Sequence, residues 1–261
     1  MMPFSANGEA SHPIVAGRRL EVRRLAQAGP SPGTIVMLHE GLGSIALWRD
    51  FPQRVRDRTG YEVVAYSRYG HGWSEALVEK RDPAYMHHEA EAVLPELLDT
   101  LGIRRPVLLG HSDGGSIALV YAGGYPHGVQ ALILEAPHVF VEELSLRSIA
   151  QLKTTYETTD FRAKLARYHG DVDGTFRGWN DIWLDPSFRA WNIESSLDAI
   201  RCPLLVIQGE DDEFGTVAQL AAIEARVPAA QTVLIPHCGH SPHRDRPEAT
   251  LAAIARFLEQ R

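Results

Sequence analysis

The chain lacks the features of most secreted or membrane-bound proteins. Only two of its 261 residues are cysteines, Cys202 and Cys238, so no disulfide framework is indicated. No apolar run reaches the ~20 residues that span a bilayer, and the first residues, MMPFSANGEASHP, have neither a basic start nor an apolar stretch of secretory length. We therefore expect a cytoplasmic protein.

Positive charge is also scarce. The chain carries 26 lysines and arginines against 33 aspartates and glutamates, a formal net charge of −7 at pH 7, and no basic run. Nucleic acids and anionic membranes attract basic surfaces, so neither is an expected partner. The hydrophobic content of 44% is enough for a substantial core. The sequence leaves the oligomeric state open.

Short apolar runs alternate with helical stretches through most of the chain. The predicted strands are 34–39, 61–67, 106–110, 131–135, 203–209 and 232–236, and the predicted helices are 86–101, 113–123, 217–227 and 247–260. Such alternation is typical of a parallel sheet with right-handed crossovers. The sequence thus predicts an α/β protein.

This alternation stops between Pro137 and Cys202. About sixty residues intervene there, where a crossover between parallel strands needs only a dozen or more. The segment has the pattern of amphipathic helices and contains Trp179, Trp183 and Trp191. Trp179 and Trp183 are four residues apart and would share a helix face, where they either line a pocket or hold the helices together.

The segment PVLLGHSDGGSIALVYA, residues 106–122, joins a predicted strand to a predicted helix through a serine. A turn this sharp strains the backbone at its apex and requires small residues two positions away, where Gly110 and Gly114 stand. The pattern G-x-S-x-G is that of a nucleophile elbow. Ser112 is the candidate nucleophile, and the N–H of Asp113 is a candidate oxyanion donor. The alternative is a glycine-rich loop that happens to contain serine.

A nucleophilic serine needs a base and an acid that orients the base, and the elbow architecture places them in the chain order serine, acid, histidine. The predicted strand that ends at Gly209 is followed by four acids, Glu210 to Glu213. The G-x-x-D spacing favours Asp212, and Asp211 stays the alternative. The other acids are expected to be solvated or to cap the next helix.

Three histidines, each three residues from the next, follow the last predicted strand: His237, His240 and His243. His240 follows a glycine and precedes the terminal helix, which favours it as the base. No acidic ligand at helical spacing accompanies them, so we expect neither a metal nor another cofactor. Cys238 is expected to be a small packing residue, because a rival nucleophile would need its own base and elbow.

The segment TIVMLHEGLGS, residues 34–44, carries the second candidate for oxyanion binding. Acyl transfer needs two N–H groups aimed at one oxygen, and glycine lets the main chain approach the substrate closely. Its position after His39 favours Gly41 as the second donor, with Leu42 as the alternative. The other interpretation is a structural turn.

The motifs HEGLGS, SRYGHGWS, GHSDGG, IQGEDD and CGHSPH occur in the order and spacing of the α/β-hydrolase superfamily. The chain resembles its esterase-like branch over nearly the whole length. This resemblance implies about eight mostly parallel strands with helices on both faces. It also implies a triad of Ser112, His240 and Asp212 that works through an acyl-enzyme, and a helical cap at 139–198 inserted in a core of 1–138 and 199–261.

Two positions depart from the superfamily pattern. Glu40 stands where glycine usually follows the histidine, which places a carboxylate beside the expected oxyanion hole. Arg68 stands where the turn after the next strand usually opens with aspartate, so that structural contact must differ.

The resemblance implies hydrolysis of a small to medium acyl compound, with a carboxylic ester as the first expectation. A carbon–carbon bond hydrolase of a ring-cleavage product, a thioesterase and a lactonase are alternatives. A small-molecule receptor on the same fold is the non-enzymatic alternative. Serine at the elbow counts against dehalogenases and epoxide hydrolases, which carry aspartate there.

Overall fold

A computed structural model describes residues 8–260 of the chain. Its strands are β1 Glu9–Ser11, β2 Ile14–Val15, β3 Arg18–Arg19, β4 Glu21–Leu25, β5 Thr34–Leu38, β6 Glu62–Ser67, β7 Val107–His111, β8 Ala131–Glu135, β9 Leu204–Gly209 and β10 Gln231–Ile235. β2 and β3 form a small antiparallel pair. The other strands form one eight-stranded sheet in the order β1-β4-β6-β5-β7-β8-β9-β10.

Helices precede or follow most of the strands. They are α1 Phe51–Thr59, α2 Tyr85–His88, α3 Leu94–Thr100, α4 Asp113–Gly124, α5 Glu143–Thr158, α6 Phe161–Leu165, α7 Val172–Leu184, α8 Glu194–Leu197, α9 Ala218–Arg226, α10 Pro242–Asp245 and α11 Pro247–Glu259. Turns of 3₁₀ helix cover Ile45–Trp48 and Pro186–Ala190.

The sheet is mostly parallel. The six neighbouring strands β6, β5, β7, β8, β9 and β10 pair in parallel. β4 runs antiparallel to both β1 and β6. Alternate residues of each strand face opposite layers: Val36 and Leu38 of β5 pack with α4, and Ile35 and Met37 pack with α1 and α11. This arrangement confirms the predicted α/β-hydrolase sheet with helices on both faces.

The N-terminal strands of this sheet escaped prediction. β1 is fully exposed, and β4 has the sequence EVRRL, in which Arg23 and Arg24 interrupt the apolar alternation of a half-buried strand. Pairing along a sheet edge supplied the backbone partners that the local sequence does not specify.

The predicted single helix at 86–101 is wrong as a continuous α-helix. A π-helical turn, Glu89–Val93, separates α2 from α3. Pro95 follows this turn; it has no N–H to donate to the carbonyl of Glu91, and its ring crowds that carbonyl. A wider turn next to the proline accommodates the mismatch without ending the helical path.

The segment between β8 and β9 leaves the sheet and returns to it at one place. Phe140 forms a β-bridge with Asn192, and the N–H of Ile193 donates to the carbonyl of Val139 at 2.8 Å. Some buried apolar side chains of α5, α6 and α7 form a cluster separate from those of the sheet: Tyr156, Leu165, Val172 and Phe176. Others, from α5 and α7, pack with one face of the sheet: Ile149, Trp179, Ile182 and Trp183. α8, which lies inside the predicted cap boundaries, packs against α4 and α9 instead.

Residues 1–7 of the predicted core and the last residue lie outside the described part of the chain. Within residues 8–260, no helix is both long enough and apolar enough to cross a membrane.

Candidate active site

Ser112 lies at the turn between β7 and α4. Its φ of 53° and ψ of −118° are costly for a residue other than glycine. A Cβ on Gly110 would lie 2.4 Å from the carbonyl oxygen of Gly114, and one on Gly114 would lie 2.1 Å from that of Leu38. The two glycines of the motif are therefore required because the helix starts directly against the strands.

Ser112 is the first member of a hydrogen-bonded chain. Its Oγ lies 2.9 Å from Nε2 of His240, and Nδ1 of His240 lies 2.8 Å from Oδ1 of Asp212. An ionised carboxylate only accepts hydrogen bonds, so Nδ1 carries the proton and Nε2 is left to accept from the serine hydroxyl. The fold thus brings together the three residues that the sequence selected from separate loops.

Asp212 is held as a carboxylate by its surroundings. Its Oδ1 also accepts the N–H groups of Phe214 and Gly215 at 2.8 and 3.1 Å, and its Oδ2 accepts Nε2 of Gln208 at 3.2 Å. Burial raises the pKa of Asp212, but the charge and hydrogen bond of His240 and the N–H of Phe214 outweigh burial, so the net pKa falls. The group therefore stays ionised beside the imidazole.

The neighbouring acids have other positions. Asp211, the alternative for the orienting acid, is exposed to solvent. Glu213 accepts the N–H of His240 at 3.1 Å and so helps to hold the loop that carries this histidine.

The other two C-terminal histidines do not reach Ser112. His243 donates both its N–H and its Nδ1 hydrogen to Oε2 of Glu135, at 3.0 and 2.8 Å, and His237 is exposed. Cys238 is buried in the apolar layer beneath the sheet, and burial raises its pKa to about 11. The thiol is therefore protonated at neutral pH. Among the three C-terminal histidines, His240 is the one that contacts the nucleophile.

Asp113 begins α4, so its N–H has no carbonyl partner within the helix. Its own carboxylate accepts the hydroxyl of Tyr85 at 2.6 Å, and Nε1 of Trp183 donates to the same hydroxyl at 3.1 Å. The main-chain N–H of Asp113 is thus free of helix partners, whereas its carboxylate is held by Tyr85.

Residues 39–42, which we call the 39–42 loop, contain the other candidate donors. The carbonyl of Glu40 accepts Nδ1 of His39 at 2.7 Å and Nη2 of Arg68 at 3.0 Å, and the carbonyl of Gly41 accepts Nε2 of His71 at 3.0 Å. In a trans peptide the following N–H points the opposite way. The N–H groups of Gly41 and Leu42 therefore turn away from these partners, and both residues line the cavity that contains Ser112.

Arg68 accounts for one departure from the superfamily pattern. Its guanidinium is buried and donates to the carbonyls of both His39 and Glu40. At the position where the superfamily usually has aspartate, this chain therefore has an arginine whose side chain holds the 39–42 loop.

Glu40, the other departure, is half-buried and forms an ion pair with a buried histidine. Its Oε2 lies 3.5 Å from Nδ1 of His111, whose Nε2 donates to the carbonyl of His240 at 2.7 Å. Because the carbonyl requires a hydrogen on Nε2, Nδ1 carries one only in the cationic ring. Burial lowers the pKa of His111, but Glu40 outweighs burial and the net pKa of His111 is raised. Burial raises the pKa of Glu40, but His111 outweighs burial and lowers the pKa of Glu40 to about 2.

Trp179 of α7 covers Gly41. A Cβ on Gly41 would lie 1.9 Å from Nε1 of this indole, so only glycine fits here. The backbone of Gly41 does not itself require glycine, because its φ is not positive. The reason for this glycine lies in a tryptophan far along the chain.

A cavity of about 230 Å³ opens above Ser112. Its apolar walls consist of residues from the 39–42 loop, from the segment between β8 and β9, and from the Asp212 loop: Leu42, Ile149, Leu152, Phe161, Trp179, Trp183 and Phe214. Trp191 is not among them and stacks on Phe188 at 5.4 Å. Of the three tryptophans, two therefore line the cavity and one holds the helices together.

A mostly parallel eight-stranded sheet with a serine at a strand-to-helix elbow defines a class of protein. The family model of the alpha/beta hydrolases matches residues 35–254, and the chain belongs to this family.

Several relatives within this class are named as hydrolytic enzymes. The chain is 24% identical over 233 residues to the 2-hydroxy-6-oxononadienedioate/2-hydroxy-6-oxononatrienedioate hydrolase of Comamonas testosteroni, covering 79% of this chain and 80% of the relative. It is 24% identical over 247 residues to a proline iminopeptidase of Lactobacillus delbrueckii subsp. bulgaricus, covering 80% and 83%. These matches support an enzyme of the α/β-hydrolase class.

Solved structures share the fold. A membrane phospholipase A, described as a bacterial virulence factor, superposes with a TM-score of 0.80 over 98% of this chain and 87% of that chain, at 21% identity.

Proposed function

We propose that this protein is a serine hydrolase that cleaves a small carboxylic ester through an acyl-enzyme. The observation that carries the proposal is the hydrogen-bonded chain from Ser112 through His240 to Asp212, with the serine hydroxyl in the wall of an apolar cavity.

The proposed reaction has two stages. His240 takes the proton from Ser112 as Oγ attacks the ester carbonyl carbon, and it then returns this proton to the leaving alcohol. The N–H groups of Asp113 and Gly41 hold the oxyanion, with the N–H of Leu42 as the alternative second donor. Water repeats the sequence on the acyl-enzyme and releases the carboxylic acid.

The cavity favours a small acyl group. Its volume of about 230 Å³ is below the roughly 300–1,000 Å³ of pockets that hold drug-sized ligands. Five of its apolar residues, Ile149, Leu152, Phe161, Trp179 and Trp183, belong to the segment 139–198. We therefore propose that this segment is a cap that sets acyl size and excludes water.

A carbon–carbon hydrolase is the second candidate, because one relative is named for a 2-hydroxy-6-oxo dienedioate. Such a substrate carries two carboxylates. The charged residues that line the cavity are three acids, Glu40, Asp113 and Glu213, against Arg244 and the cationic ring of His111, so the lining is net negative. This lining favours a neutral ester over a dianion.

The test is turnover of p-nitrophenyl esters from acetate to decanoate, beside one thioester, one lactone and one ring-cleavage diketone. We expect multiple turnover that is fastest on the short esters, because longer chains exceed the cavity. Turnover of the diketone alone would instead identify a carbon–carbon hydrolase. A single acylation burst without turnover on any compound would identify a receptor.

Asp212 and Asp211 form a matched pair for testing the orienting acid. We expect Asp212→Ala to lower kcat by about 10⁴-fold, because His240 loses the partner that fixes its tautomer and stabilises its cation. Asp211→Ala should stay within about twofold of the wild type, because this side chain is exposed.

Asp212→Asn separates charge from folding. It retains an oxygen that can accept the N–H groups of Phe214 and Gly215, and it should still lower kcat. Equal losses for the alanine variants of Asp211 and Asp212 would contradict the assignment.

A further inference from the structure

His169 belongs to the segment 139–198 but binds the 39–42 loop of the core. It lies between α6 and α7 and is 3% exposed. Its Nε2 lies 3.0 Å from the carbonyl oxygen of Leu42, and its Nδ1 lies 2.9 Å from the N–H nitrogen of Gly72. A carbonyl only accepts and a backbone N–H only donates, so the ring must carry its hydrogen on Nε2 and none on Nδ1. One neutral tautomer satisfies both contacts.

The contact with Leu42 completes a series. Each carbonyl of the 39–42 loop accepts a hydrogen bond from a buried side chain: Arg68 binds those of His39 and Glu40, His71 binds that of Gly41, and His169 binds that of Leu42. The first two donors, Arg68 and His71, belong to the core. Only His169 comes from the inserted segment, 127 residues away in sequence.

Neighbouring contacts keep His169 in register with the core. The N–H of Gly170 donates to the carbonyl of Gly72 at 2.8 Å, and Oγ1 of Thr175 donates to the carbonyl of Gly70 at 2.6 Å. The turn after β6 therefore holds the inserted segment on one side while His169 reaches the 39–42 loop on the other.

We propose that His169 is a positioning residue through which the inserted segment holds the 39–42 loop with its N–H groups aimed at the substrate's carbonyl oxygen. The proposal rests on the function proposed above. It makes the oxyanion hole depend on the cap, because Trp179 covers Gly41 and His169 binds Leu42 from the same segment. The segment 139–198 then controls both access to the cavity and stabilisation of the oxyanion.

Three variants separate the two hydrogen bonds of His169 from its packing. His169→Phe retains a ring and loses both bonds. His169→Gln places a donor near the position of Nε2 and can still bind Leu42. His169→Asn places an acceptor near the position of Nδ1, so it can bind Gly72 but is too short for Leu42. His127→Phe, at an exposed position, is the matched control.

We expect His169→Phe and His169→Asn to lower kcat by about 10-fold to 100-fold with little change in KM, because a small displacement of oxyanion donors acts on the transition state. The affinity for a trifluoromethyl ketone, whose adduct with Ser112 places an oxyanion in the hole, should fall by the same factor. His169→Gln and His127→Phe should stay near the wild type. Wild-type kcat and inhibitor affinity in the phenylalanine variant would overturn the proposal, and so would equal losses in the asparagine and glutamine variants.

A readout without turnover distinguishes failure of this proposal from failure of the proposed function. In the resting protein, ¹⁵N spectra should show His169 as the Nε2–H tautomer, and amides of residues 39–44 should exchange hydrogen faster in His169→Phe than in the wild type. Unchanged exchange would overturn the positioning role even if the esters are hydrolysed. Faster exchange in a protein that hydrolyses none of the test compounds would retain the contact and reject the reaction.

Discussion

Replacing Ser112 by alanine is expected to lower kcat for a short p-nitrophenyl ester by about 10⁴-fold to 10⁶-fold. The reason is that His240 Nε2, 2.9 Å from Oγ, then has no nucleophile to activate. The residual rate reflects the cavity and the N–H groups of the oxyanion hole, which the substitution leaves in place. The strained backbone at position 112 is imposed by the sharp turn from β7 into α4 and not by the serine side chain, so the alanine variant should fold and melt like the wild type.

The control for this experiment is Cys238→Ala. The Cys238 thiol is the candidate rival nucleophile, but it is buried beneath the sheet with its pKa raised to about 11, so its loss should leave turnover unchanged. A fluorophosphonate should label the wild type and the Cys238 variant but not the Ser112 variant. A folded Ser112→Ala protein with turnover within about tenfold of the wild type would remove the serine mechanism.

The second large effect is expected in folding stability. Burial is the main reason that four histidines have lowered pKa values: His39 and His71 well below the usual range, His138 at about 3 and His169 at about 4. Nearby charge adds to this effect, since Arg68 also lowers the pKa of His39 and His71. These rings therefore stay neutral in the folded protein.

The sign of the pH dependence follows from proton binding. Above the unfolded pKa of about 6.5 neither state binds these protons. Below it the unfolded chain binds them and the native state does not, so the free energy of unfolding falls by about 1.4 kcal/mol per pH unit for each histidine. Four such groups approach roughly 5 kcal/mol per unit, a large part of the total stability of a domain. His111, with its raised pKa, acts in the opposite sense but only above about pH 6.5, where the native ring binds its proton and the unfolded chain does not, so it leaves the slope below that pH unchanged.

The measurement is denaturant unfolding at several values from about pH 7 to about pH 4. We expect a steep loss of stability below about pH 6.5. The protein should unfold before the pH falls to the pKa of His169, about 4. His138→Phe should reduce the slope by one proton, whereas His127→Phe, at an exposed position, should not. A flat stability between about pH 7 and about pH 5 would contradict neutral burial of these rings.

Much of the fold was predictable because its signals are local. The strand before Ser112, the two glycines and the small apolar helix after it lie within seventeen residues, 106–122. Where a strand leads directly into a helix, the local sequence is enough to determine the backbone conformation of the turn. The same holds for the parallel strands, whose apolar runs remain recognisable because both faces are buried.

The two N-terminal strands of the large sheet and the π-helical turn were not predictable in this way. β1 and β4 depend on pairing with a sheet that must already exist. The turn before Pro95 depends on how one proline is accommodated in a helix that packs on the core.

By itself, the sequence determined the α/β class, the elbow, and the order in which Ser112, Asp212 and His240 occur. Only the tertiary structure decided that Asp212 and not Asp211 contacts the imidazole, that Glu40 pairs with His111, and that two tryptophans line the cavity. Local spacing fixes the backbone near a residue but not which distant side chain arrives there. The contact of His169 with Leu42 spans 127 residues, and packing between the core and the inserted helices brings the two together.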